Sequence, residues 1–302
     1  MQGGLKANIE YFSAKLLLEV FRQMPRRLAY RAAGVLAWLG FHLARRQRDV
    51  GFQNLRMVFP DRTHDEHLRI LRACFGNLGR LLVEFSHFKE LKPSNISQLV
   101  VYDGFEHFET AVSRGKGVIF LTAHIGAWEL SSFAHSIYGH PMKFIVRKID
   151  NPYVEKLISD YRCLGGNLPI VRQNSAREIL KALRANETIG ILVDQNASDG
   201  VFVDFFGMPA ATTPALATLA LRTGATVIPG FLVWNERERI HRLCFEPPIE
   251  LIQTGDLASS ILENTRLFNE VVERYVRKYP DQWLWIHRRW KTRPPGEARL
   301  YQ

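Results

Sequence analysis

From residue 100 onward, short apolar runs alternate with longer segments whose apolar side chains recur every three or four positions. Residues 117–122 (GVIFLT), 142–146 (MKFIV), 167–171, 188–193 (TIGILV), 225–233 and 242–245 read as strands, the first and fourth apolar enough to be buried on both faces. The segments between them read as helices. One runs to about His135. Another starts at Asn151-Pro152, where Asn can cap and Pro suits the first helical position, and carries Val154, Leu157, Ile158 and Tyr161 on one face. A third starts at Ser175, with capping-box spacing to Glu178; others start at Thr213-Pro214 and cover 256–278. This alternation predicts an α/β fold, a mainly parallel sheet flanked by helices.

Upstream the pattern is helical throughout. Residues 64–90 place Leu68, Leu71, Phe75, Leu78, Leu82 and Phe85 at spacings of three or four. Residues 8–46 form the most apolar long stretch, and within it 32–44 (AAGVLAWLGFHLA) is interrupted only by His42. That run is shorter than the roughly 20 residues a spanning helix needs. It lies between Arg22, Arg26, Arg27 and Arg31 on one side and Arg45, Arg46 and Arg48 on the other. An apolar helix between arginine clusters suits an anionic membrane interface. The alternative is an ordinary core helix with a solvated basic rim. The expected organisation is a membrane-associated helical segment over residues 1–50 and an α/β domain over 51–302.

Composition narrows the classes. With 46% hydrophobic and 23% charged residues among 302, the chain is neither disordered nor a multi-span membrane protein. Forty Lys and Arg against 30 Asp and Glu give a net charge of +10, which points to an anionic partner: nucleic acid, acidic lipid or a phosphorylated substrate. Cys74, Cys163 and Cys244 are odd in number and far apart, so neither a disulfide framework nor a structural zinc site is expected. The first residues lack a cleavable signal pattern. There is no HExxH, G-x-S-x-G, P-loop or G-x-G-x-x-G, and His64 and His67 stand without further ligands, so metal, serine-hydrolase and nucleotide chemistry have no support.

The strongest local signal is LTAHIGAWEL at 121–130. His124 falls just past a buried strand, the edge where α/β proteins collect ligands. On a continuous helix His124 and Glu129 would diverge by about 140°. A turn at Ile125-Gly126 instead puts Glu129 in the first turn of the next helix, able to return towards the imidazole. A carboxylate beside an imidazole fixes its tautomer and equips it to take a proton from a hydroxyl. A bare H-x4-E spacing is equally compatible with a buried His and an unrelated Glu.

Further motifs surround it. They are NLRMVFP at 54–60, FIVR at 144–147 with DNP at 150–152, DQ at 194–195, GVFVDFFG at 200–207 with PAAT at 209–212, TGATVIP at 223–229 and WLWIHRRWK at 283–291. In order and spacing, from about residue 50 to 294, these resemble the bacterial lipid A biosynthesis acyltransferase family, whose H-x4-D/E motif is that of glycerolipid acyltransferases. The resemblance implies a glycerolipid acyltransferase-like fold with His124 and Glu129 as a catalytic dyad. It implies transfer of an acyl chain from an acyl carrier protein or acyl-CoA thioester to a hydroxyl of a membrane glycolipid, a lipid A precursor first of all. No cofactor, no metal and no nucleic acid are expected. The setting is an anionic membrane surface, at the cytoplasmic face of the inner membrane. Other glycolipid acceptors, such as phosphatidylinositol mannosides, are the alternative within the class. A basic membrane- or nucleic-acid-binding protein with a non-catalytic site is the alternative outside it.

Arg147, at the end of its strand, is expected to meet a substrate phosphate; a surface ion pair is the plainer role. Asp194 and Gln195 follow a buried strand on the same edge as His124, to bind an acceptor hydroxyl or sugar, or else to close a loop. Phe205, Phe206 and Gly207 read as an acyl-channel wall or as a buried loop anchor. Asp204 stands where the family often has Pro, and an acid there would bear on donor or acceptor choice. The tail, with Trp283, Trp285, Trp290 and the cations of 287–291, suits a membrane interface, nucleic acid or docking onto the domain; the resemblance favours lipid over nucleic acid.

Overall fold

The computed structural model describes residues 4–171 and 175–301. The chain opens with α1 (Leu5–Gln23), α2 (Arg26–Leu43), α3 (Arg45–Val58) and α4 (His64–Ser86). A capping box starts α4: the Thr63 hydroxyl accepts from the Glu66 amide, and the Glu66 carboxylate accepts from the Thr63 amide at 2.8 Å. Leu71, Phe75 and Phe85 of its apolar stripe are buried. α2 crosses α4 closely enough that a Cβ at Gly79 would stand 2.9 Å from the Ala33 carbonyl oxygen. A buried polar knot fastens the crossing. The Glu84 carboxylate accepts from the Tyr30 hydroxyl, lies 3.1 Å from His241 Nε2 and 3.7 Å from Arg26. Burial works to raise the Glu84 carboxyl, but His241 and Arg26 hold it below its ordinary range.

The rest of the chain runs β1 (Val100–Asp103), α5 (Phe105–Ser113), β2 (Val118–Thr122), α6 (Trp128–Ile137), β3 (Lys143–Val146), α7 (Pro152–Arg162), β4 (Leu168–Val171), α8 (Ser175–Arg184) and β5 (Thr188–Leu192). It continues through β6 (Val201–Phe205), β7 (Met208–Thr212), α9 (Ala215–Thr223), β8 (Thr226–Asn235), β9 (Ile240–Phe245) and α10 (Leu257–Lys278). Among the described residues the main sheet has seven strands in the order β1-β9-β8-β2-β5-β3-β4, parallel except between β8 and β9. β6 and β7 form a separate hairpin.

The expected α/β sheet flanked by helices is therefore present, with two additions to the sequence reading: the edge strand β1 and the hairpin β6–β7. Asn151 caps α7 by accepting from the amides of Tyr153 and Val154, and Asp256 caps α10 by accepting from Ser259. The Ser175 capping side chain lies outside the described residues. One large core covers one face of the sheet and includes Ile119, Leu121, Ile189, Ile191, Phe205, Trp283 and Trp285; a second covers the other face around Val118, Phe120, Leu130 and Phe133.

The N-terminal helices keep an apolar face unpartnered. Leu5, Ile9, Phe12 and Leu16 are exposed along α1, as are Val35, Trp38 and Leu43 along α2; Phe12 and Trp38 keep 64% and 61% of their surface. Among the described residues no helix is long and apolar enough to cross a membrane.

Candidate active site

β2 delivers His124 two residues past its last residue, and the chain then turns sharply. Gly126 makes the turn with φ of +61°, and any Cβ there would lie 1.9 Å from the Leu232 carbonyl oxygen. α6 begins at Trp128, so Glu129 does sit in its first turn. The turn is held from outside. Gly126 donates its amide to the Gln282 carbonyl at 3.0 Å, the Leu284 amide donates to the His124 carbonyl at 3.1 Å, and Asn77 of α4 donates to the Gly126 carbonyl at 3.0 Å.

β2 and β5 are adjacent and parallel, with Thr122 level with Leu192. Two residues further on, His124 and Asp194 therefore stand side by side. Asp194 Oδ1 lies 2.8 Å from His124 Nδ1, and its Oδ2 accepts from the His124 amide at 2.9 Å and from the Trp283 indole at 2.8 Å. Burial works to raise this fully enclosed carboxyl; the imidazole, the amide and the indole outweigh it and hold Asp194 at about 2. A neutral imidazole that faces a carboxylate through Nδ1 carries its ring proton there and presents a lone pair at Nε2. Gln195 Nε2 lies 3.1 Å from that lone pair. The Trp128 ring closes the site edge-on, 5.2 Å from the imidazole.

Glu129 takes a different partner from the one expected. Its carboxylate accepts both guanidinium hydrogen bonds of Arg162, at 2.9 and 2.5 Å, from the last turn of α7. The pair is bidentate and mostly shielded, so it holds Glu129 away from the imidazole. The contact between His124 and Glu129 expected from the H-x4-E spacing is not formed, and Asp194 fills that place.

A cavity of about 1060 Å³ opens beside these groups. His124, Glu129, Arg147 and Gln195 line it, so the structure gathers four of the expected residues around one space, and Arg162 joins them. Arg288 and Lys291 add cationic lining, and Phe120, Met142, Phe144, Ile179, Leu219 and Phe245 an apolar one. Phe206 and Gly207 do not reach it. Both have positive φ and form the tip of the β6–β7 hairpin, with Phe206 packed on Phe59. Asp204 caps the same tip by accepting from the Gly207 amide at 2.9 Å, so it too stands outside the cavity lining.

The tail is part of the site wall rather than a free surface. Trp283, Trp285, Trp290 and Arg289 are fully buried. Arg289 donates to the Ala211 carbonyl, to the Thr212 hydroxyl and, at 3.4 Å, to the Gln195 carbonyl, and burial lowers it to about 10. His287, pressed down to about 4 by burial, accepts the Asn196 amide at 3.0 Å. Arg162, Trp283 and Asn77 are site components that sequence reasoning missed; their contacts depend on packing between distant segments. Among the described residues no group of three or more His, Cys, Asp or Glu is arranged to hold a metal ion.

Comparison with known proteins shows the family. Residues 6–292 match the family described as bacterial lipid A biosynthesis acyltransferase. The chain is 29% identical over 285 residues to a lipid A biosynthesis acyltransferase of Haemophilus influenzae, covering 93% of this chain and 87% of the relative. It is 26% identical to the lipid A biosynthesis palmitoleoyltransferase of Escherichia coli, with 88% of each chain covered. The lauroyltransferase of the same organism is also 26% identical, over 92% of this chain and 90% of its own.

Proposed function

Because the chain belongs to the bacterial lipid A biosynthesis acyltransferase family and is an O-acyltransferase, we propose that it adds a secondary acyl chain to a lipid A precursor with His124 as general base. The observation that carries this reading is the imidazole itself: Nδ1 anchored on Asp194 at 2.8 Å, in a ring that lines a cavity of lipid size.

In this mechanism Nε2 takes the proton of the acceptor hydroxyl as its oxygen attacks the thioester carbonyl. Asp194 holds the tautomer and stabilises the imidazolium that forms. The tetrahedral intermediate then expels the thiol, which receives the proton from Nε2, and His124 is neutral again. Glu129 and Arg162 act as a fixed ion pair on the cavity wall. Arg147, with Arg288 and Lys291, meets the phosphates of the acceptor, and the apolar lining takes the acyl chain.

Residues 1–50 form the membrane-associated part. The unpartnered faces of α1 and α2 lie in the interfacial layer of an anionic leaflet, with their arginines at headgroup phosphates. The thioester is then presented from the cytoplasmic side of the inner membrane. Net positive charge favours the acidic acyl carrier protein over coenzyme A as donor.

The test is acyl transfer by purified protein in detergent. Long-chain acyl carrier protein and a lipid A precursor are supplied, with His124→Ala alongside, and the product is read by mass spectrometry. A gain of one acyl group that disappears in the variant is the expected result. A variant as active as wild type would overturn the base assignment. Transfer only to other glycolipids would move the acceptor.

A further inference from the structure

The ring nitrogen of His124 that faces the cavity is covered by a neighbouring side chain. Gln195 donates its amide to His124 Nε2 at 3.1 Å, because a lone pair opposite an Asp-bound Nδ1–H requires a donor there. The backbone around Gln195 is clamped. Asp194 is held by the imidazole and by Trp283, the Gln195 carbonyl by Arg289, the Asn196 amide by His287, and the Asn196 side chain by Thr292 in both directions. The Gln195 side chain is different: it is half-buried, lines the cavity, and its hydrogen bond is the one to Nε2.

We infer that Gln195 is a gate on the base, a positioning residue that keeps water off His124 until an acceptor hydroxyl displaces it by side-chain rotation. The inference rests on the acyltransferase reading above. A thioester in a site with a bare imidazole invites hydrolysis: Nε2 takes a proton from water, the oxygen adds to the carbonyl, the C–S bond breaks and the thiol leaves protonated. Water has no binding energy elsewhere in the cavity with which to displace the amide. A glycolipid anchored by its phosphates and chains does, and spends it there. A neutral hydrogen bond of this kind corresponds to about fivefold in an equilibrium, which sets the size of the bias.

The test compares wild type, Gln195→Met and Gln195→Glu. Methionine keeps the length and loses the donor; glutamate puts an acceptor at Nε2 and pins a proton on it. Two rates are measured on the full chain with long-chain acyl carrier protein: thiol release without acceptor, and transfer to a lipid A precursor. The expected result for Met is thiol release raised about fivefold in absolute rate, with transfer to the acceptor raised less or not at all, so that the ratio of hydrolysis to transfer rises. For Glu, both rates fall.

Loss of stability or of general site geometry would lower both rates in Met as well, and that outcome overturns the gate. Unchanged hydrolysis in Met overturns it too. If wild type neither transfers nor hydrolyses any thioester offered, the acyltransferase reading fails first and the gate with it.

Discussion

Asp194 and His124 occupy equivalent positions beyond two neighbouring parallel strands, and one carboxylate takes both the ring and the backbone nitrogen of the histidine. The imidazole is thereby fixed in rotation and tautomer by a group from another strand. The sequence-adjacent acid, Glu129, serves Arg162 instead.

That division separates two substitutions. Asp194→Asn should lower kcat by about 10³–10⁴-fold, because an amide supports the wrong tautomer. Glu129→Gln should act mainly through KM, by roughly tenfold, since it loosens Arg162 at the cavity wall rather than the base. Steady-state kinetics on both variants, varying the acceptor, checks the split.

Trp283→Phe removes the indole donor from a buried carboxylate oxygen while keeping the ring's place in the core. That oxygen keeps the His124 amide as a donor, so the loss is one hydrogen bond to a charged group, about 1–3 kcal/mol of stability. The expected signature is a urea midpoint shifted by that amount with the slope unchanged, together with a kcat loss of about tenfold.

Acid should weaken the fold through histidines buried in the neutral form. Burial depresses His135 to about 3, with His140 beside it adding to the effect, and depresses His287 to about 4. Folded pKa values below the unfolded one mean that the unfolded chain binds more protons. Their contribution is therefore complete above about pH 6.5 and drains away as pH falls towards 4 and then 3, at up to about 1.4 kcal/mol per pH unit for each histidine. His135→Gln should flatten this slope in urea titrations between pH 7 and 4; an unchanged slope would contradict the assignment.

Vesicle binding should depend on α1 and α2. Phe12→Glu with Leu16→Glu puts charge on the exposed apolar stripe, and Arg27→Glu with Arg31→Glu reverses the basic one. Each pair should weaken flotation with anionic vesicles by at least about tenfold. Only the effect of the arginine pair should fade at high salt. Equal binding by all three proteins would remove the interfacial role.

Much of this was legible in the sequence because buried parallel strands announce themselves. GVIFLT and TIGILV became β2 and β5 within a residue at each end, and the capping residue Asn151 marked the start of α7. β1 was missed because VVYD is short and lies at the sheet edge. The β6–β7 hairpin was missed because Phe206 takes a positive φ that no apolar pattern encodes. The imidazole's partner was misassigned for a related reason. H-x4-E is a spacing within one segment, whereas Asp194 reaches His124 through sheet register. The clue was partial: each residue comes one or two positions after its own apolar run, and only the register of β2 on β5 makes the two level. Arg162 and Trp283 carried no comparable clue, since their contacts span 33 and 89 positions.

The stitching of the turn at Gly126 to Gln282 and Leu284 has a temporal side. Chains are made from the amino end, so α1 and α2 leave the ribosome long before Trp283 exists. Until that residue is made, Asp194 lacks its indole donor and the turn after His124 lacks two of its hydrogen bonds. Birth order thus separates two events: the first helices are made early, and the turn after His124 and the Asp194 contact are completed only once residues 282–284 have been made. The helices with exposed apolar faces are thus complete while the surroundings of His124 are still unfinished.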